Sequence, residues 1–412
     1  MHNLFKIALR NLLRYRRRTL LTTSLIAIGV VFVLLFVAVT GSFKNMMIAQ
    51  TTDSMLGHLQ VHRKGYVASI DNLPLNLNLK GEGLAKLEKI LDGRPEVEAW
   101  SPRIKFGAMF STFVETTNIR LNGINPAREL ATVPLLAARL LEGEATLDPG
   151  RIWIPELLAR GMKVAVGDTV VVVATNQDGS VNGRQLVVAG ILESATGPGG
   201  RDGYLHIEDA AAILRLTAPE TSEVAIRLHD FKRLPAFAAE LDVLLAQELN
   251  QQGKPIYELH TWEKLSPFYN IARMIEVMTF FVKLMLIAIV LVSIMNVMIM
   301  AVYERIREIG TMAAIGTLPG RILAMFMLEG FSLGVVGAAG GGLFGLLLIK
   351  LLNLAEISYD FGRQQGLILQ AEIAWGELAL ISLIVVAGAV LASLQPAFKA
   401  SRLDPIKALR HV

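Results

Sequence analysis

The sequence predicts a polytopic α-helical membrane protein, with four transmembrane helices plus a large α+β extracytoplasmic domain on a helical stalk. Three observations lead there. Of 412 residues, 53% are hydrophobic and 18% charged, where soluble proteins carry about 45–50% and about 25%; mean hydropathy is +0.47. Four apolar runs are each long enough to cross the roughly 30 Å of hydrocarbon in a bilayer. Between the first two runs lies one long stretch of mixed strand and helix patterning.

The spans cover residues 20–40, 276–301, 322–352 and 375–394. The first follows Arg14-Tyr15-Arg16-Arg17-Arg18. Its apolar core exceeds the roughly 7–15 residues of a signal peptide, and no small-residue cleavage site follows, so it reads as a retained anchor. Residues 1–19 fit an amphipathic helix in the headgroup layer, with Leu4, Phe5, Ala8, Leu9 and Leu12 on one face and Lys6, Arg10 and Arg14 elsewhere.

Lysine and arginine in short loops set the orientation. The N-terminal segment adds Arg16, Arg17 and Arg18 without an acidic residue. The 302–321 loop carries Arg305, Arg307 and Arg321, and the 395–412 tail carries Lys399, Arg402, Lys407 and Arg410. The 353–374 loop has Arg363 alone against Glu356, Asp360 and Glu372. Both termini and the 302–321 loop are therefore expected in the cytoplasm, with 41–275 and 353–374 outside.

Within 41–275, Leu59–His62 alternates with period two. Thr169–Ala174 and Gln185–Leu192 read as strands joined by a turn at Asp178-Gly179-Ser180. Ser222–Leu228 and Ile256–Leu259 read as strands, and Leu234–Leu249 as a helix. Gly197-Pro198-Gly199-Gly200 marks a loop, and an insertion runs from Pro126 to Leu216, giving two lobes.

Signals for chemistry in this chain are missing. There is no cysteine, Gly-x-Ser-x-Gly, His-Glu-x-x-His or phosphate-cradling Gly-x-x-x-x-Gly-Lys loop. His58 and His62 sit four apart, yet on a strand they read as a polar surface pair. The basic clusters adjoin spans, which argues against nucleic acid. Catalytic, cofactor and metal sites are accordingly expected to be none, and any ATP hydrolysis belongs to another polypeptide.

From Ser266 to Gly310, only Pro267 and Gly310 interrupt a helical composition. Ser266 suits an N-cap and Pro267 a first turn. One helix of about 44 residues would reach roughly 65 Å, about twice the hydrocarbon thickness; a hinge near Thr279 is the alternative. Met46–Gly57 would continue the first span outward in the same way. Gly330, Gly334, Gly337, Gly341 and Gly345 recur on the third span, where small residues admit close helix packing against this chain or a second one. Lys283 and Lys350 can snorkel. Glu329, a carboxylate within a span, is a functional candidate by default, or else hydrogen-bonded in a structural role or placed at the interface.

The run Asn296 to Gly310, containing Tyr303-Glu304-Arg305-Ile306-Arg307-Glu308-Ile309-Gly310, followed by Ala313-Ala314-Ile315-Gly316, resembles the signature of the FtsX-like permease superfamily. That superfamily includes MacB-type efflux pumps and LolC/LolE lipoprotein-releasing permeases. The tail Gln395 to Arg410 is similar to its closing motif, and Val166–Val170 and Val188–Ile191 resemble its MacB-like periplasmic core, here with an inserted lobe. Gly57–His62 looks closest to the lipoprotein-releasing branch. With about 18 residues before the first span, the chain departs from pumps that carry a fused ATPase there. The resemblance implies an ABC permease in the bacterial inner membrane, working with a dimer of ATPase subunits that hold ATP and magnesium. It also implies a second permease (itself or a paralogue), a periplasmic chaperone or adaptor, and contact with membrane lipid. Tyr303, Glu304, Arg305, Arg307, Glu308 and Gly310 would form the ATPase-docking loop, and the substrate would be an amphiphile such as a lipoprotein. The competing readings are an FtsX-like signalling regulator of a periplasmic enzyme, an efflux permease for peptides or drugs, and a membrane enzyme with an outer catalytic domain.

Overall fold

The computed structural model describes residues 10, 14, 16–194, 202–361 and 364–409. The amphipathic face at Leu4–Leu12, the Gly197–Gly200 loop, Arg363 and Arg410 lie outside these. The chain divides into two compact units, Met1–Asn45 with Arg273–Val412, and Met46–Ala272.

Among the described residues, four helices are long and apolar enough to cross a membrane: Arg16–Thr51, Phe268–Glu304, Pro319–Leu354 and Trp375–Ser401. Each has one face in a shared core, exemplified by Ile26 and Leu34, Val290 and Ile294, Phe326 and Leu333, and Val385 and Ala389. The opposite faces remain apolar and exposed, as at Phe32, Phe281, Leu343 and Leu383. Helices that are apolar all round suit a lipid surround.

The second of these helices starts at Phe268, whose N–H donates to Ser266 Oγ at 3.2 Å. It passes Thr279 without a break; the Thr279 hydroxyl donates to the Ile275 carbonyl at 2.7 Å. It does not run to Gly310. It ends at Glu304, because Arg305 leaves helical geometry at φ −115°, ψ 18°. Its 37 residues still reach about 55 Å. Lys44 on the first helix pairs with Glu276 on the second at 3.7 Å. Within the segment read as a short loop at 353–374, Ser358–Phe361 pairs antiparallel with Gln364–Ile368.

In the second unit the strands are β1 (Leu59–Arg63), β2 (Leu79–Lys80), β3 (Val97–Ser111), β4 (Thr116–Ile124), β5 (Leu140–Gly143), β6 (Arg151–Pro155), β7 (Thr169–Thr175), β8 (Val181–Leu192), β9 (Asp202–His206), β10 (Glu220–Thr221), β11 (Glu223–Leu228) and β12 (Tyr257–Thr261). Ten form one sheet in the order β12-β1-β11-β3-β4-β9-β6-β8-β5, with β7 bridging β3 and β8; β2 and β10 pair separately. Alternation sets the faces. Ile104, Phe106, Ala108 and Phe110 of β3 share a core with Ile119 and Leu121 of β4. The insertion does not build a separate sheet: β9 returns parallel to β4, and the sheet continues into it.

The reading of His58 and His62 as a surface pair is overturned. Both are buried, at 4% and 0% exposure, because β1 lies between β12 and β11 rather than at an edge.

Candidate coupling site

After the second long helix the chain makes the short helix Ile306–Ala314. Apolar residues recur at helical spacing, so one face is sticky and the other wet. Ile306, Ile309 and Gly310 are buried, and burying each isoleucine stabilises the docking by about 1.5–3 kcal/mol. The tail helix Pro405–Leu409 packs against the same short helix, with Ala408 buried. The loop and tail motifs, far apart in sequence, thus meet in one place.

The end of the second long helix and the opposite face of the short helix are open. Tyr303 is 62% exposed, Glu304, Arg307 and Thr311 are exposed, and Glu308 is half-buried. Exposed Ile315 and Leu318 extend this surface past the helix end. Glu308 also lies 3.9 Å from Arg14. Six residues were expected to share a docking role, and the structure separates them. Tyr303, Glu304 and Arg307 look outward, Glu308 lies partly outward, and Gly310 sits on the packed face.

Arg305 does not fit an outward docking charge. Its side chain is 5% exposed and reaches inward to two carboxylates, Glu308 Oε2 at 3.0 Å and Glu329 Oε2 at 3.3 Å. Its guanidinium also lies 5.9 Å from the Phe326 ring centre. Glu329 is completely buried. The break at Arg305 turns the side chain off the wet face, which positive-inside counting cannot register. The signal available was Glu329 itself, a lone carboxylate in an apolar run.

The five glycines of the third helix split between two neighbours. A Cβ on Gly330 would lie 2.6 Å from Ser393 Oγ, and one on Gly334 would lie 2.8 Å from Ala389 Cβ, both on the fourth helix. A Cβ on Gly337 would meet Ile26 at 2.6 Å, on Gly341 the Ala27 carbonyl oxygen at 2.7 Å, and on Gly345 Leu34 at 2.8 Å, all on the first helix. These contacts are within the chain, and only a missing side chain permits them.

Sequence reading also missed a buried ionic layer in the α+β domain. Glu223, fully buried, accepts from Arg103 and Lys105, each at 2.9 Å. Arg103 also pairs with Glu129 at 2.7 Å, and His62 Nε2 lies 3.6 Å from Glu223. Burial would push the Glu223 carboxyl up, but Lys105, His62 and Arg103 outweigh it and hold it well below the usual range. Asp53, in the π-helical turn Thr52–Leu56, pairs with Arg227 at 2.7 Å and His58 at 3.5 Å. Burial opposes ionisation of Asp53 as well, and these partners still bring its pKa down. Among the described residues no group of three or more histidine or acidic side chains could hold a metal ion. An open groove of about 570 Å³, lined by Leu73, Met109, Ile119, Val181, Asp71 and Arg120 among others, lies on the sheet.

Two family models match. One, described as a MacB-like periplasmic core domain, matches residues 19–244, and one described as FtsX-like permease C-terminal matches 280–405. The lipoprotein-releasing system transmembrane protein LolC of Neisseria meningitidis is 23% identical, covering 95% of this chain and 94% of that one. The uncharacterized ABC transporter permease YknZ of Bacillus subtilis is 26% identical over 98% of each. The pyoverdine export ATP-binding/permease protein PvdT of Pseudomonas putida is 32% identical, over 54% of this chain and 33% of its own length.

Proposed function

Because the chain belongs to the family of FtsX-like permeases with a MacB-like periplasmic core domain, and is an ABC transporter permease of the MacB/FtsX/LolC type, we propose that it transmits ATPase-driven motion across the bacterial inner membrane to its α+β domain, releasing or extruding an amphiphile such as a lipoprotein. ATP and magnesium belong to a separate ATPase dimer. The termini and the short helix Ile306–Ala314 face the cytoplasm, and the α+β domain faces the periplasm. The permease works as a pair, with itself or a paralogue, and a periplasmic chaperone or adaptor collects the substrate.

One observation carries this reading: Tyr303 and Glu304 at the end of the second long helix, with Arg307 and Thr311 on the short helix, face outward while Ile306, Ile309 and Gly310 pack inward. A surface of mixed charge beside exposed Ile315 and Leu318 suits a protein partner with an apolar centre and a charged rim. The mainly apolar groove supports an amphiphilic substrate. Export of a small molecule or peptide is the second reading, favoured by the 32% identity to PvdT.

The test is affinity purification of the tagged chain from native membranes in mild detergent, with mass spectrometry of the co-purifying proteins. A stoichiometric ABC ATPase supports the proposal; a monodisperse chain without one overturns it. The double variant E304R/R307E should cut ATPase recovery at least tenfold without altering the melting temperature, because both residues are exposed.

A further inference from the structure

The buried pair Arg305–Glu329 connects three elements at one point. Arg305 stands at the non-helical break that ends the helix Phe268–Glu304. Its Nε donates to Glu308 on the short helix at 3.0 Å, and its Nη1 donates to Glu329 on the helix Pro319–Leu354 at 3.3 Å. Both side chains are out of solvent, at 5% and 0% exposure. Glu329 immediately precedes Gly330, which is in close contact with Ser393 on the fourth helix.

A buried ion pair is a poor way to gain stability, since apolar residues of similar volume often hold as well or better. Its distinctive property is what happens when its members are pulled apart: a directional charge contact is lost away from water, which costs far more than separating apolar faces. Apolar faces can slide over one another, because their attraction is non-directional. A guanidinium forked between two carboxylates fixes position and angle. At a site where a short helix rests on a bundle, this chemistry is suited to making two elements move as one.

We infer that Arg305 and Glu329 form the joint through which displacement of the short helix Ile306–Ala314 reaches the third helix. They are positioning residues; they do not touch the partner. The inference rests on the proposed function for the source of the displacement, and the experiment separates the two.

The 412 residues contain no cysteine, so introduced cysteines give unambiguous spin labels. In the first arm, nitroxides replace exposed Thr311 on the short helix and exposed Leu343 on the third helix, in the chain alone in lipid nanodiscs. Pulsed electron resonance should give a narrow distance distribution for the unmodified pair. The distribution should be at least twofold broader for Glu329→Gln. An equally narrow distribution in Glu329→Gln overturns the inference, whatever the ATPase does.

The second arm uses the complex with its ATPase and labels at Phe32 and Leu354, exposed on the first and third helices. Trapping with ATP and vanadate should shift this distance. The shift should be lost in the apolar replacement R305M/E329L while ATPase recovery stays within twofold. A full shift in that variant shows that packing alone transmits, and the inference fails. Loss of ATPase recovery in that variant also overturns it, because the pair would then shape docking. If the unmodified chain recovers no ATPase, the proposed function fails, and the first arm still decides whether the joint exists.

Discussion

Glu223 shows how one side chain organises its surroundings. It accepts from Arg103 and Lys105 and faces His62, all buried or nearly so. Glu223→Gln keeps the shape and removes the charge, leaving Arg103 to Glu129 alone and Lys105 without a carboxylate. We expect the α+β domain to lose about 3 kcal/mol, the range for breaking a buried pair. Denaturant titration followed by tryptophan fluorescence checks this, since Trp100, Trp153 and Trp262 all lie in that domain. The acid response has a definite sign. Glu223, Asp53 and Glu258 sit below the ordinary carboxylate range; burial opposes this in each, and Glu258 is held down by the N–H groups of Val67 and Gly65. Burial also lowers His260 from 6.5, against the pull of Glu258. In all four the unfolded chain binds protons more readily, so stability is lost as pH falls. An upper step should begin below 6.5 from His260, and a lower one below 4.5 from the glutamates. Melting temperature measured against pH should show both, and His260→Gln should remove the upper step. These groups were beyond sequence reasoning: β1 becomes a central strand only through pairing with residues far along the chain, so His62 could not be placed inside.

At the level of the elements, length and apolarity made the four spans readable, since crossing hydrocarbon imposes both on local sequence. The glycine repeat announced close packing on the same grounds. What local sequence could not supply was the partner, and the helix end at Glu304 was missed because Arg305 is itself a good helix former. Its departure from helix geometry comes with inward pairing to Glu308 and Glu329. Strand β3 was missed too, although Ile104, Phe106, Ala108 and Phe110 alternate plainly; Pro102 and Gly107 within it speak against a strand. The glycines give an element-specific expectation. At Gly341 an added methyl meets a backbone carbonyl of the first helix at 2.7 Å, which cannot rotate away. Gly341→Ala should destabilise the helix bundle by about 1–3 kcal/mol, read as a lower melting temperature in detergent. Gly340→Ala, with nothing within reach of the new methyl, should be neutral and serves as the control.

For the whole molecule, composition and hydropathy were sufficient to separate a membrane part from an α+β part, and the family resemblance rested on the loop and tail motifs. Those two motifs prove to be one structural feature, since the tail helix packs on the short helix. The division of the third helix has a consequence for how the chain is made. Its later glycines seat the first helix, through Gly337, Gly341 and Gly345, while its earlier ones seat the fourth. The first helix enters the bilayer early in synthesis, but its seat is not built until the α+β domain and the second helix have been made. Contacts so distant in sequence are slow to close. During biogenesis the first helix therefore waits with its packing face open to lipid, and a chaperone or quality-control protease acting on the nascent permease would meet Ile26, Val30 and Leu34 uncovered.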